Sequence, residues 1–297
     1  MKKIIQESDV PSEALFNWFP GHMVKAMREI KQKLKMVDIV FEIRDARLPL
    51  SSGNGALDEV LGQKTRIIIL NKANLANPES TLLWKSYFET KKQLCFFVDC
   101  FDKAALKKVI PLAREVIEQN RKQSNPDLNS SKTKIKVMIL GLPNTGKSTI
   151  INQLANRNAT KVANKPGLTQ IQQWIQIDDE IDLLDTPGVM PPKVESDEQA
   201  LWLSAIHAIP DHISGEEATA AFLVKHLVEI KSPEFFSRFQ LPALELSVEE
   251  VFERIGKLRG CLKQKGQPDL DRVCKIILNE FREGLLGKTT FELPMAK

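Results

Sequence analysis

A doubly wound α/β domain with a mostly parallel sheet, followed by an all-helical domain, is the fold class that the sequence predicts. Three features carry it. Short apolar strands alternate with helical segments from 37 to 184, a glycine-bounded turn joins a strand to a helix at 141–148, and the periodicity beyond Glu198 is almost wholly helical.

The elements follow in order. A helix is expected over 23–35, with Met23, Met27, Ile30 and Leu34 as its apolar stripe and Lys25, Arg28, Lys31, Lys33 and Lys35 on its exposed face. Strands at 37–43, 66–70 and 94–98 are separated by a helix at 80–90 and followed by one at 104–123. The polar, breaker-rich stretch 124–131 reads as a linker, after which a strand at 135–140 opens a new βα unit. Strands at 174–177 and 181–184 form a hairpin around Asp178-Asp179-Glu180. Residues 1–199 then make the α/β domain and 200–297 the helical one, in which Leu223, Leu227 and Ile230 share one helix face and Val251, Ile255 and Leu258 another.

Composition excludes several classes. Of 297 residues 42% are hydrophobic and 27% charged, as in soluble globular proteins, and no apolar run approaches the roughly 20 residues that a membrane span needs. The opening residues turn acidic at Glu7 and Asp9, against a secretory or mitochondrial leader, so a cytoplasmic monomer without a membrane partner is expected. Cys95, Cys100, Cys261 and Cys274 form no CxxC pair and read as free thiols. The net charge of +4 permits a nucleic-acid partner without requiring one.

Gly141-Leu142-Pro143-Asn144-Thr145-Gly146-Lys147-Ser148 matches the GxxxxGK-Ser/Thr phosphate loop, in the strand-to-helix setting that this motif needs. Its glycines let backbone N–H groups turn toward phosphate oxygens. Lys147 supplies a point charge and Ser148 a hydroxyl for Mg²⁺. Asp185-Thr186-Pro187-Gly188 ends a strand, offering a carboxylate to Mg²⁺ and the Gly188 N–H to a γ-phosphate. Between the two, Thr169 is the candidate switch hydroxyl that closes on Mg²⁺.

Asn71-Lys72-Ala73-Asn74 follows a strand and resembles the guanine-reading NKxD motif, while Cys100, after the next strand, stands where a backbone N–H meets the guanine O6. The base reader thus precedes the phosphate loop, the reverse of the usual order in GTP-binding proteins. The chain is a circular permutation with the 124–131 linker joining the old termini. Asn74 departs from the aspartate of the motif. A carboxylate accepts two hydrogen bonds from guanine, whereas an amide has one acceptor oxygen and one donor, so one guanine N–H faces another donor at a cost of about 1–3 kcal/mol. Weak GTP binding, altered base preference, and help from a neighbouring residue or water are the three outcomes open.

In combination, Trp18-Phe19-Pro20-Gly21-His22-Met23, Asp45-Ala46-Arg47-Leu48-Pro49, the stretch from Gly141 to Thr149, Asp185 to Gly188, Pro191-Pro192-Lys193, Arg259-Gly260-Cys261-Leu262 and the closing segment from Phe281 to Leu293 resemble the bacterial ribosome biogenesis GTPase A family over nearly the whole chain. The resemblance implies GTP hydrolysis to GDP coupled to maturation of the large ribosomal subunit, with the helical domain on ribosomal RNA. It extends the nucleotide contacts over Asn144, Thr145, Gly146, Lys147, Ser148 and Thr149 and sets His22, Lys147 and Thr169 in the hydrolytic machinery. Val189 stands where many GTPases place a water-orienting glutamine, and the resemblance gives that work to His22, whose imidazole can accept from water near neutral pH. His207, His212 and His226 read as structural or surface residues. Asn144 is a candidate K⁺ ligand, and K⁺ would add positive charge near the transferring phosphate. In the tail, Lys257, Arg259, Lys263, Lys265, Arg272, Lys275 and Arg282 are candidate contacts to RNA phosphates.

If 71–74 reads the base, GTP binds more tightly than ATP in side-by-side affinity measurements that include XTP. Equal competition by ATP would remove the assignment.

Overall fold

The computed structural model describes residues 21–124, 134–155, 173–179, 181–190, 194, 196–242 and 246–294. Among the described residues six strands form one sheet: β1 (Ile39–Asp45), β2 (Arg66–Asn71), β3 (Cys95–Phe97), β4 (Ile135–Gly141), β5 (Gln173–Gln176) and β6 (Ile181–Asp185). Their order is β3-β2-β1-β4-β6-β5, with β5 antiparallel to β6 and every other pair parallel. From β1 the chain winds outward through β2 to β3, then returns to start β4 on the other side of β1. The winding direction therefore reverses between β1 and β4, and the crevice beyond the carboxyl ends of those two strands is where open α/β sheets take ligands.

Side chains alternate across β1, so Ile39, Phe41 and Ile43 face one layer and Val40 the opposite one. The first layer contains α4 (Lys103–Lys107), α5 (Val109–Ser124) and α6 (Lys147–Leu154), which bury Leu106, Val109, Ala113, Ile150 and Ile151 with the strand residues. The second contains α1 (Gly21–Lys33) and α2 (Gly55–Leu61), where Ala26, Ile30, Leu57 and Leu61 pack on Val40, Met138, Leu140 and Leu184. Beside them α3 (Pro78–Thr90) covers Ile68 and Leu70 with Trp84 and Phe88; Asn77 caps it by accepting from the Ser80 N–H, and Pro78 occupies its first turn. Helix α2 lacks a long apolar stripe and has no counterpart among the expected elements. The helix expected over 104–123 is divided at Lys108 into α4 and α5. The linker around 124–131 lies outside the described residues from 125 onward.

The remainder is helical: α7 (Asp197–Ala205), α8 (Asp211–Ser214), α9 (Glu216–Glu229), α10 (Pro233–Arg238), α11 (Val248–Leu258) and α12 (Leu270–Arg282). Ser247 and Glu250 form a reciprocal capping box at the start of α11. Leu223, Leu227, Val251, Ile255, Val273, Ile277 and Phe281 share one core. Ile230 and Leu258, expected on the same faces, are exposed because each lies at or just beyond the end of its helix, where no neighbour covers it.

This core includes Leu48 and Leu142 of the α/β part, so the two parts share buried surface. The chain beyond α12 strengthens the joint. The Thr289 N–H donates to the Leu75 carbonyl at 3.1 Å, the Phe291 N–H to Arg47 at 3.0 Å, and the Trp84 indole to the Glu292 carbonyl at 2.9 Å. The Glu292 carboxylate accepts from the backbone N–H and hydroxyl of Ser51. Among the described residues, no helix is long and apolar enough to cross a membrane.

Candidate functional site

The phosphate loop leaves β4 at Gly141, where a side chain would strike the Ile43 carbonyl of the neighbouring strand. The loop turns through Asn144 (φ 57°) and Gly146 (φ 99°), both left-handed, and α6 begins at Lys147. A Cβ on Gly146 would collide with the Asn71 amide, so glycine is required there both by conformation and by space. Thr145 Oγ1 donates to the Leu142 carbonyl at 2.9 Å, and Lys147 Nζ donates to the carbonyls of Gly141 (3.2 Å) and Leu142 (2.7 Å). These bonds hold the lysine across the loop mouth, beside the first-turn N–H groups of α6. Burial lowers the Lys147 pKa to about 8, against the opposing pull of Asp185.

Asn71 ends β2, fully buried, and spends both ends of its amide on tying loops together. Nδ2 donates to the Thr145 carbonyl at 2.9 Å, while Oδ1 accepts from the Cys100 N–H at 3.0 Å. Lys72, left-handed at φ 58°, donates from Nζ to the Asn144 carbonyl at 2.9 Å and pairs with Asp45 Oδ2 at 3.1 Å. Burial pushes the Lys72 ammonium pKa down and Asp45 offsets part of this. Asp45 in turn accepts from Arg47 Nε (2.9 Å) and Nη2 (2.8 Å). Burial would raise the Asp45 pKa, but Arg47 and Lys72 overcome it and hold the carboxyl well below the usual carboxylate range. The 71–74 turn and the phosphate loop are therefore joined at one crevice, and the motif order along the chain is permuted.

β6 delivers Asp185 to the same place. Thr186 Oγ1 donates to the Ile139 carbonyl at 2.6 Å, which fixes the turn against β4. A Cβ on Gly188 would lie 2.8 Å from the Pro143 nitrogen and 3.1 Å from Lys147 Nζ, so only glycine lets this backbone approach the phosphate loop. Val189 is bonded through its N–H to the Gly141 carbonyl at 3.2 Å, and its side chain packs with Ala26, Ile30 and Leu184 in the core. Asn54 Nδ2 donates to the Val189 carbonyl at 3.0 Å and secures the exit of the turn.

Both carboxylate oxygens of Asp185 are buried with no hydrogen-bond partner among the described residues. Burial raises its pKa to about 6, with Lys147 pulling the other way. An orphaned carboxylate beside an ammonium and a helix N-terminus fits a hydrated divalent cation shared with phosphate oxygens. No group of three His, Cys, Asp or Glu among the described residues could hold a metal alone, so any cation here needs hydroxyl, water and ligand oxygens as well.

Asn71, Lys72, Cys100, Asn144, Thr145, Gly146, Lys147, Asp185 and Gly188 are thus brought together. Ser148 and Thr149 occupy the first turn of α6, and Asn74 lies on the exposed side of the short turn Ala73–Leu75. Thr169 and Pro191-Pro192-Lys193 lie outside the described residues. The His22 backbone is the second residue of α1, and its side chain is likewise outside the described part.

Arg282 is bonded to Asp211 and to the Ser204 and Ala205 carbonyls, and Arg259 is paired with Glu280 over the Phe239 ring, so both are engaged within the helical part. His207 has a structural role, as its carbonyl accepts from Asn144 Nδ2 at 2.9 Å. Asp45 and Arg47, noted only as part of a resembling motif, support Lys72 of the 71–74 turn. Two residues apart on one chain, they gave no sign of their partner 27 positions on.

Residues 136–236 match the family described as 50S ribosome-binding GTPase. The chain is 38% identical to ribosome biogenesis GTPase A of Bacillus cereus over 94% of both chains. It is 31% identical to mitochondrial ribosome-associated GTPase 1 of Mus musculus, covering 93% of this chain and 89% of that one. The crystal structure of GNP-bound YlqF from T. maritima superposes with a TM-score of 0.67 at 28% identity, covering 92% of this chain and 100% of that one.

The Asp185 carboxylate makes a stability prediction. Its pKa in the folded chain lies above the unfolded value of 3.8, so its contribution to stability is complete below about pH 4 and is lost as pH rises through about 6. In chelator and without nucleotide, Asp185→Asn therefore raises stability near pH 7.5 by about 1–3 kcal/mol, several degrees in Tm, and this gain vanishes near pH 4. Thermal melts at the two pH values check it.

Proposed function

The chain belongs to the ribosome biogenesis GTPase A family, and we propose that it binds and hydrolyses GTP as an assembly factor of the large ribosomal subunit. The observation that carries this reading is the meeting of the 71–74 turn and the phosphate loop, where Asn71 donates to the Thr145 carbonyl and Lys72 to the Asn144 carbonyl. Such an arrangement grips both ends of one nucleotide.

Lys147 and the first-turn N–H groups of α6 hold the β and γ phosphates, and the Gly188 N–H lies beside them to meet the γ-phosphate. Mg²⁺, when bound, offsets the charge that develops on the phosphate oxygens during hydrolysis. Asp185, Ser148 and Thr169 are the residues we assign to it. The orphaned Asp185 oxygens support the first of these. For Asn144 the amide nitrogen is committed to His207, which leaves Oδ1 as the atom for K⁺.

Hydrolysis needs a group to orient the attacking water, and Val189 is packed in the core. We assign that role to His22. Its support is that α1 packs through Ala26 and Ile30 on the cluster holding Leu184 and Val189, which flank the Asp185 turn. The helical part, 200–297, is then the segment that meets ribosomal RNA, in a cytoplasmic monomer. Ribosome association in the named relatives supports this placement.

GTP turnover measured with and without purified large subunits tests the reading. Large subunits should raise the rate, and His22→Ala should cost roughly 10²–10⁴-fold in turnover while leaving GDP affinity within about twofold. Turnover by His22→Ala equal to the parent chain would remove the histidine from the mechanism. No stimulation by large subunits would remove the proposed partner.

A further inference from the structure

The bonds that hold Asn144 continue into the helical part and close on themselves. Helix α7 ends in a Schellman motif: the Ala208 N–H donates to the Leu203 carbonyl at 2.8 Å and the His207 N–H to Ser204 at 2.9 Å. Glycine usually takes the left-handed position of that motif, but here it is His207, at φ 66°. The carbonyl of this residue accepts from Asn144 Nδ2 at 2.9 Å, and Asn144 is itself left-handed at φ 57°. Two residues in a conformation that side chains disfavour thus face each other across the joint, as happens where the surrounding structure over-determines them.

What over-determines the turn is Arg282, at the end of α12. Its guanidinium donates to the Ala205 carbonyl (3.1 Å), the Ser204 carbonyl (2.9 Å) and Asp211 Oδ2 (3.0 Å). Burial would raise the Asp211 pKa, but hydrogen bonds from His207 and Arg282, with the Arg282 charge, hold the carboxyl well below its ordinary range. The adjacent Phe281 ring lies under the Arg47 guanidinium at 5.1 Å. From there the path runs through Asp45 and Lys72 to the Asn144 carbonyl. The phosphate loop is therefore held at one residue from two sides, and both supports converge on neighbouring residues of α12.

We infer that Arg282 is a positioning residue for nucleotide phosphate binding: it fixes the turn after α7, whose His207 carbonyl holds Asn144 and with it the phosphate loop. The inference rests on reading 141–148 as the phosphate loop. It also makes the helical part a component of the nucleotide site. Contact with a ribosomal partner that strains α12 would then reach the phosphates without passing through the segment after Gly188.

A double-mutant cycle on GDP affinity tests this, with Arg282→Met, Asn144→Ala and the pair, each checked for a cooperative thermal melt. Arg282→Met should weaken GDP binding roughly tenfold in the parent chain and less than about twofold in the Asn144→Ala background, because the support then has nothing to hold. A general loss of packing would multiply the two effects instead. Multiplied effects, or unchanged affinity in a folded Arg282→Met chain, would overturn the inference. If Arg282→Met does not fold, Asp211→Asn, which loosens the same guanidinium at constant size, replaces it in the cycle. Should the parent chain bind no GDP, the phosphate-loop reading falls as well. A parent that binds beside an inert Arg282→Met removes the positioning role alone.

Discussion

One side-chain amide organises the nucleotide site. Asn71 is the last residue of β2, with no solvent exposure, and its two polar atoms satisfy a carbonyl of the phosphate loop and an N–H of the loop after β3. Both of those backbone groups lie away from regular ladders, where an unpaired partner costs about 1–3 kcal/mol. The amide suits the task because it carries a donor and an acceptor at opposite ends, which neither a carboxylate nor a hydroxyl of similar reach provides. Permutation makes this bond more telling: Asn71 and Thr145 are 74 positions apart, in segments on either side of the linker, yet the crevice between β1 and β4 brings them together.

Lys72 extends the same logic. Its ammonium would be costly beside a buried loop without a counter-charge. Asp45 supplies it, and Arg47 orients Asp45 while lying over Phe281 of the helical part. The base-reading turn also bonds to the closing segment through Leu75 and Thr289. The helical part meets the rest of the chain at the 71–74 turn, the Arg47 loop and Asn144, and through Met190 and Val194, just after the Gly188 turn, which pack on its core.

The sheet and phosphate loop were legible because their signals are local. The strand at 135–140 and the GxxxxGK turn need no distant partner to be recognised, and the mostly apolar runs of β1 and β2 follow from burial on both faces. Motif order alone was enough to read the permutation. The role of Arg282 was not legible, because an arginine near the end of an amphipathic helix looks like any surface cation until the turn it holds is known. Ile230 and Leu258 fit their helical stripes, and only the absence of a covering neighbour exposes them. The left-handed His207 left no trace, since the C′ position of a Schellman motif is recognised by glycine.

The claim on which all of this turns is that Asn71 holds the two halves of the nucleotide crevice in register. Replacing it by alanine strands the Thr145 carbonyl and the Cys100 N–H together. Isothermal titration of Asn71→Ala with GDP is the direct measurement. The account predicts affinity roughly 5- to 150-fold weaker in a chain that still unfolds cooperatively, because about 1–3 kcal/mol of loop alignment is removed. Affinity within about twofold of the parent would contradict it.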